Sequence, residues 1–295
     1  MGDYVLSCCS TADMPEEYFK KRNIAYCCFH FYIGGRMYLD DLGHSMSFDE
    51  FYRRMAEGED TKTSQLNVEE YITHFEKYLA EGKDIIHLCL SSGISGTINS
   101  ANIARDDLIA KYPDRKLLVI DSFAASGGYG LLMDKLADLR DEGKTIDELA
   151  DFVMKNRLKV HHWFYTGDLT YLIRGGRVSK VSGFFGNMLN ICPLLNVNNE
   201  GKLIPRYKIR TKKKVMEACV EQMLLHAEGG EQYQGKVFVN HAACREDALA
   251  VISLMEEKMP GIKGKVELNY IGTTIGAHTG PGLVAVFFWG DERTN

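Results

Sequence analysis

The chain has 295 residues, 45% of them hydrophobic, which is enough for one large domain or two ordinary ones. Its net charge of −5 predicts no nucleic-acid partner and no general attraction to an anionic membrane. The eight cysteines show no C-x-x-C spacing, and the pairs Cys8-Cys9 and Cys27-Cys28 lie in strand-like runs, as small buried hydrophobes do in a reducing cytosol. Without a predicted signal peptide or membrane span, we expect a cytoplasmic protein that needs no metal or other cofactor.

The first half alternates strand-like and helix-like segments, which is typical of βαβ units. Strands are predicted at residues 4–9, 24–33, 85–90 and 117–120, and helices at 15–22, 48–56, 68–79, 97–111 and from 126 onward. The strands are apolar without alternation, which indicates a parallel sheet that is covered on both faces.

Two polar loops, residues 91–97 and 121–130, follow strands of this predicted sheet. Ligands of open α/β sheets bind beyond the carboxyl ends of the strands, so the two loops should share one crevice. The loop at 91–97 is rich in serine and glycine and precedes a helix, and its hydroxyl and backbone N–H groups are suited to an anion.

The second half has a different pattern, with hairpins in place of crossovers. Helices are predicted at 145–156, 169–173, 179–189, 212–225 and 245–259, and strands at 161–167, 194–197, 203–209, 236–240, 266–271 and 282–289. We therefore expect an α/β protein with a parallel-sheet domain at 1–158 and a smaller α+β sandwich at 159–295, with a ligand cleft between them.

Motifs for common catalytic reactions are incomplete. The segments Gly230–Lys236 and Gly143–Thr145 lack essential parts of a phosphate-binding loop, so an intrinsic ATPase is not predicted. In Gly93-Ile94-Ser95-Gly96-Thr97, threonine replaces the last glycine of a hydrolase elbow. A nucleophilic Ser95 assisted by His278 and Asp121 stays open as an alternative, because a catalytic triad is defined by geometry and not by order in the chain.

Five motifs together resemble the DegV family over essentially the whole chain. They are Thr63-Ser64-Gln65, Ser92–Thr97, Asp121-Ser122 with Ser126–Gly128, Tyr171–Arg177 and His278–Gly282. The resemblance implies a two-domain α/β fold that buries a long-chain fatty acid between its domains. It also implies a non-catalytic role, in which the protein presents the carboxylate to a separate ATP-binding subunit of a fatty acid kinase for acyl phosphate formation.

The resemblance also assigns roles to individual residues. Thr63 and Ser95 resemble the hydroxyls that bind the carboxylate, Gly96 the backbone N–H donor, and His278, expected in a glycine-rich loop, the histidine of this network. From the residues alone, Thr63 could equally be a helix N-cap and Ser95 a turn residue. Arg177 follows two glycines and is expected near the head group or the kinase interface.

A basic segment lies further along the chain, with no acidic residue in it: Lys202, Arg206, Lys208, Arg210, Lys212, Lys213 and Lys214. It is suited to an acidic protein surface or to transient contact with membrane phosphates, and the matching family segment is implicated in kinase contact.

The residues at 181–191 are suited to the wall of a lipid pocket. Where the family's first strand usually ends in Thr-Asp-Ser, this chain has Cys8-Cys9-Ser10. The alternatives are a serine-dependent acyl hydrolase or transferase, and a lipid carrier or sensor without a kinase.

Overall fold

The computed structural model describes residues 4–179 and 191–295. The strands are β1 (Tyr4–Cys9), β2 (Ile24–Cys27), β3 (His30–Ile33), β4 (Arg36–Leu39), β5 (Thr61–Ser64), β6 (Asp84–Cys89), β7 (Leu117–Asp121), β8 (Val160–Tyr165), β9 (Ile191–Val197), β10 (Leu203–Arg210), β11 (Val237–His241), β12 (Val266–Tyr270) and β13 (Val284–Trp289). The α-helices are α1 (Glu16–Lys21), α2 (Phe48–Ala56), α3 (Val68–Leu79), α4 (Thr97–Lys111), α5 (Ser126–Asp141), α6 (Ile146–Asn156), α7 (Thr170–Arg174), α8 (Lys212–His226), α9 (Arg245–Lys258) and α10 (Thr273–Thr279).

A four-stranded sheet with the order β2-β1-β6-β7 is parallel throughout, as the unalternating apolar strands predict. Helices α3 and α4 pack against each other, and α4 lies on β7. Capping boxes at Asn67 and Thr145 set the starts of α3 and α6, because each N-cap side chain accepts a backbone N–H that the helix leaves unpaired.

A six-stranded mixed sheet has the order β10-β9-β8-β13-β11-β12. Helices α8 and α9 pack on one of its faces, and α5 contacts β8, β11 and β13. Since α5 also contacts β1, it lies between the two large sheets, and its residues are buried on almost every side. A helix that is enclosed on most sides needs no continuous polar face, which explains its weak amphipathic pattern.

A three-stranded antiparallel sheet with the order β4-β3-β5 was not predicted. The predicted strand at residues 24–33 is wrong as a single element, because the chain passes from β2 in the parallel sheet to β3 in this small one. The loop expected around His278 is also wrong, because this residue lies in the last turn of α10. Helix α10 packs on β3, β5, α2 and α7.

The strands of the parallel sheet lie before residue 122 and those of the six-stranded sheet begin at residue 160. This division is compatible with a domain boundary near residue 158, which stays a prediction. The helix expected at 179–189 and most of the predicted pocket wall at 181–191 lie outside the described residues. Among the helices of residues 4–179 and 191–295, none is both long and apolar enough to cross a membrane.

Candidate functional site

A cavity of about 350 Å³ lies against one face of the six-stranded sheet, under α7 and α10 and next to the loop that follows β6. Its size is within the usual range for a small-molecule site. Strands β5, β8, β9, β10 and β13, helices α5, α7 and α10, and the loop after β6 contribute to its wall. Most of that wall is apolar, and its apolar residues include Phe29, Leu90, Phe164, Leu172, Leu203 and Phe287.

The apolar wall follows from the alternation of side chains along β13. Ala285 and Phe287 face the cavity, whereas Val284, Val286 and Phe288 belong to a separate core under α8 and α9. Successive residues of a strand point to opposite faces of the sheet, so an apolar strand can serve two cores at once. No family motif marks these residues, and β13 is apolar at every position, so hydrophobic alternation does not mark its cavity face either.

Thr63 and His278 lie at the polar end of the cavity and are joined by a hydrogen bond. Thr63 lies in β5, not at a helix N-cap, and its Oγ1 is 2.7 Å from Nε2 of His278. Gly175 allows this position of the imidazole, since a Cβ there would overlap His278 Nδ1. Burial, and then the positive charges of Arg177 and Arg174, lower the pKa of His278 to about 4. The ring is therefore neutral at pH 7.

Ser95 reaches the same end of the cavity from the loop between β6 and α4, whereas the adjacent Gly96 is exposed and is not part of the cavity wall. Ser95 lines the cavity, and its Oγ accepts a hydrogen bond of 3.3 Å from the backbone N–H of Thr97. Gly96 is the N-cap of α4, and its N–H has no hydrogen-bond partner among the described residues. The Ser95 hydroxyl proton and the Gly96 N–H are thus available to an anion, at the positive end of a helix dipole.

The two predicted polar loops do share one crevice. Asp121 accepts hydrogen bonds from the backbone N–H groups of Ser92, at 3.2 Å, and Phe123, at 3.0 Å. Ser91 Oγ donates to the carbonyl of Gly201 at 2.8 Å, which ties the loop to the turn between β9 and β10. These bonds hold the Ser95 loop in place without using the Ser95 hydroxyl proton.

Arg177 also lines the cavity and is half-buried. Its Nε donates to the carbonyl of Ile94 at 3.1 Å, and its Nη1 donates to the carbonyl of Gly175 at 2.6 Å. Its Nη2 makes no hydrogen bond within residues 4–179 and 191–295. Burial lowers the pKa of this guanidinium, which nevertheless stays charged at neutral pH. The structure thus brings Arg177 together with Thr63, Ser95 and His278.

Arg210 lies elsewhere. It is exposed at the end of β10 and is not part of the cavity wall. Within the same basic segment, Lys202 forms an ion pair with Glu200, and Lys212 forms one with Asp247. Arg206 donates to Asn196 at 2.8 Å. The basic segment is therefore a surface feature of the β9–β10 hairpin and the start of α8, and any role of Arg210 would be in partner contact.

The catalytic triad considered for Ser95 is not assembled. Among the described residues, no hydrogen bond joins Ser95 to His278 or His278 to Asp121. His278 Nε2 is bonded to Thr63, and the carboxylate of Asp121 is used by backbone N–H groups. A general base for Ser95 would have to be within hydrogen-bond reach of its hydroxyl. The described residues therefore lack the contact between nucleophile and base that the hydrolase alternative requires.

The glycines of the Ser126–Gly128 motif bring α5 close to the six-stranded sheet. A Cβ on Gly127 would overlap Asn240 and Phe287, and one on Gly128 would overlap the ring of His162. The backbone N–H of Ala125 donates to His162 Nε2 at 3.3 Å, and His162 Nδ1 is 3.0 Å from the carbonyl of Val160. The two glycines of this motif therefore shape the cavity through packing. Ser126 of the motif and His162 of β8 also line the cavity.

Fold and site together define a mixed α/β protein with an apolar ligand cavity that ends in hydroxyl, imidazole and guanidinium groups. The model of the DegV family, a family of uncharacterised proteins, matches residues 9–291, so this chain belongs to the DegV family.

Relatives cover nearly the whole chain. A DegV domain-containing protein from Clostridium perfringens is 35% identical over 293 residues, with 99% of each chain covered. A fatty acid-binding protein from Thermotoga maritima is 34% identical, with 93% of each chain covered. The crystal structure of a DegV lipid-binding protein from the same organism is similar with a TM-score of 0.83 at 28% identity, covering 100% of both chains.

Proposed function

We propose that this protein binds a long-chain fatty acid in the cavity on the six-stranded sheet. The observation that carries the proposal is an apolar cavity that ends at the bonded pair Thr63–His278. The fatty-acid-binding relative from Thermotoga maritima, at 34% identity, supports the same conclusion. Each buried methylene would contribute about 0.8 kcal/mol, and the sum over a long chain offsets the entropy lost on binding.

In this proposal the carboxylate lies among Thr63, Ser95, Gly96 and His278. Nε2–H of His278 donates to Thr63 Oγ1, so that the Thr63 hydroxyl proton is directed to the carboxylate. The Ser95 hydroxyl and the Gly96 N–H supply two further donors, and Arg177 supplies positive charge. Hydrogen bonds to an ionised acceptor are the strong class, and a neutral His278 requires no counter-ion.

We further propose that the protein is the non-catalytic subunit of a fatty acid kinase and works in the cytoplasm, where ATP is available. The carboxylate would be presented to a separate ATP-binding subunit that forms the acyl phosphate. The exposed basic segment that includes Arg210 is suited to contact with an acidic surface of that subunit. A carrier or sensor that works without a kinase is the remaining candidate of the same binding class.

Replacing Ser95 with alanine is expected to weaken fatty acid binding roughly 10- to 100-fold, because one hydrogen bond to a charged group contributes about 1.5–3 kcal/mol. Binding is measured by native mass spectrometry and by titration with a fluorescent fatty acid. Ser92→Ala is the matched control, because Ser92 lies in the same loop but is exposed and not part of the cavity wall. Ester hydrolysis by the unmodified protein that is lost in Ser95→Ala would instead establish the hydrolase alternative.

If the protein works with a kinase, we expect acyl phosphate to form only when three components are mixed. These are protein loaded with fatty acid, ATP and a DegV-associated kinase subunit. The product is trapped as a hydroxamate and identified by mass spectrometry. Arg210→Glu is expected to lower the rate at least several-fold with unchanged fatty acid binding, since it reverses a charge outside the cavity. Lys21→Glu makes the same change on an exposed part of α1 and serves as control. Absence of product with an active kinase would favour the carrier or sensor.

A further inference from the structure

A cluster of two thiols and one imidazole lies under the parallel sheet, outside the cavity described above. Cys9 is in β1, Cys27 in β2 and His87 in β6, and all three are buried. The parallel register pairs Cys9 with Cys27, and it pairs Ser7 with His87. Because Ser7 and Cys9 are two residues apart in β1, their side chains share one face of the sheet. The register thus gathers the three side chains at one point.

The distances from Cys9 to the other two side chains match those between ligands of one metal ion. Cys9 Sγ is 3.9 Å from Cys27 Sγ and 3.7 Å from His87 Nε2, and the three atoms lie within 4.8 Å of one another. Tetrahedral zinc with Zn–S of about 2.3 Å and Zn–N of about 2.0 Å places two sulphurs about 3.8 Å apart and a sulphur and a nitrogen about 3.5 Å apart. A disulfide would require about 2.05 Å between the sulphurs.

The outer contacts of the cluster orient His87 for metal binding. Its Nδ1 is 2.9 Å from Ser7 Oγ, and Ser7 Oγ is 2.7 Å from Nε2 of His74. If His87 Nδ1–H donates to Ser7 and the Ser7 hydroxyl donates to His74, the lone pair of His87 Nε2 faces the thiols. Histidine ligands of metals regularly hold their other ring N–H in such a bond. This hydrogen-bond chain has no part in the proposed fatty acid site.

We propose that Cys9, Cys27 and His87 bind one structural Zn²⁺. Binding releases the two thiol protons, and two thiolates with one Zn²⁺ leave no net charge in this buried place. The Tyr71 hydroxyl is 3.5 Å from Cys9 Sγ and offers an oxygen for a fourth position. The absence of C-x-x-C spacing does not exclude the site, because the ligands come from three separate strands.

A hydrogen bond connects the surroundings of this cluster to the loop that contains Ser95. The Tyr71 hydroxyl is 2.7 Å from Thr97 Oγ1, and Thr97 is the first residue of α4, directly after Ser95 and Gly96. A metal ion that bound both Cys9 and the Tyr71 oxygen would therefore hold α3 and the start of α4 in fixed positions. The role assigned to the ion is structural support.

The test is the metal content of protein expressed in zinc-supplemented cells and purified with a thiol reductant and without chelator. We expect one zinc per chain by elemental mass spectrometry, and its loss in Cys27→Ser and in His87→Gln. Cys219→Ser is the matched control, because Cys219 is an equally buried thiol in the other core. Protein produced in cobalt-supplemented medium should show thiolate-to-cobalt charge transfer and tetrahedral d–d bands, a readout that needs no variant.

Several outcomes would overturn the proposal. Cobalt protein without charge-transfer absorption would do so even if the variants failed to fold. Zinc that persists in both variants would place the ion elsewhere, and copper in place of zinc would refute the choice of ion. A Cys9–Cys27 disulfide in zinc-free protein, found by peptide mapping under non-reducing conditions, would make the pair a redox site instead. Fatty acid binding is measured separately, so failure of either proposal leaves the other testable.

Discussion

Replacing Ala285 with phenylalanine is expected to abolish fatty acid binding, with an affinity loss of at least 100-fold. Ala285 lies in β13, is buried, and faces the cavity from the six-stranded sheet. A phenyl ring there occupies space that the acyl chain needs, in a cavity of only about 350 Å³. The new ring fills an existing cavity, so the loss of stability seen on overpacking a full core should be small. Titration with a fluorescent fatty acid and thermal unfolding of lipid-free protein measure the two effects.

Ala218→Phe is the control for this substitution. Ala218 is a partly buried residue of α8, on the opposite face of the six-stranded sheet from the cavity. Phenylalanine at this position adds the same atoms without entering the cavity, so fatty acid binding should be unchanged. Full binding by a folded Ala285→Phe protein would show that the acyl chain does not occupy this cavity, and would contradict the proposed function.

Replacing Gly128 with alanine is expected to lower the free energy of unfolding by about 2–3 kcal/mol. The added methyl group would overlap the ring of His162, which is itself fully enclosed. Either the ring turns away and loses its contacts with Ala125 and Val160, or α5 moves away from β8. Both responses disturb the packing of α5 between the sheets. Urea unfolding followed by circular dichroism measures the change.

Gly167→Ala is the matched control for Gly128→Ala. Gly167 is exposed, a Cβ there would meet nothing within 4 Å, and its φ is outside the left-handed region. Alanine at such a position should leave stability unchanged or raise it slightly, because it restricts the unfolded chain. Equal stability of the Gly128→Ala and Gly167→Ala proteins would mean that the contact between α5 and His162 is not tightly packed.

Much of the local structure was predictable because its causes are local. The predicted helices at 48–56, 68–79 and 97–111 coincide with α2, α3 and α4, and the hairpin around residues 198–201 is present. Hydrophobic periodicity and N-capping side chains act within a few residues, so they can be read from the sequence. The three-stranded sheet could not be predicted in this way, because β5 pairs with β3 across about 30 residues.

The candidate site shows the same division. The structure brings Thr63, Ser95, Arg177 and His278 to one cavity, whereas Gly96 and Arg210 are not part of its wall. Their role in carboxylate binding stays a prediction. The residues that form the apolar wall carry no motif. Which face of β13 they occupy depends on the pairing of β13 with β8 and β11, and a shift of one residue would reverse it.

By itself, the sequence determined the family, the positions of most helices and strands, and the polar loops at the carboxyl ends of the parallel strands. Only the tertiary structure decided that His278 belongs to a helix and bonds to Thr63, and that Cys9, Cys27 and His87 meet beneath the sheet. Local preferences arise from neighbours in the chain. Contacts between distant segments depend on strand register and on how helices pack, and those are settled only when the whole chain folds.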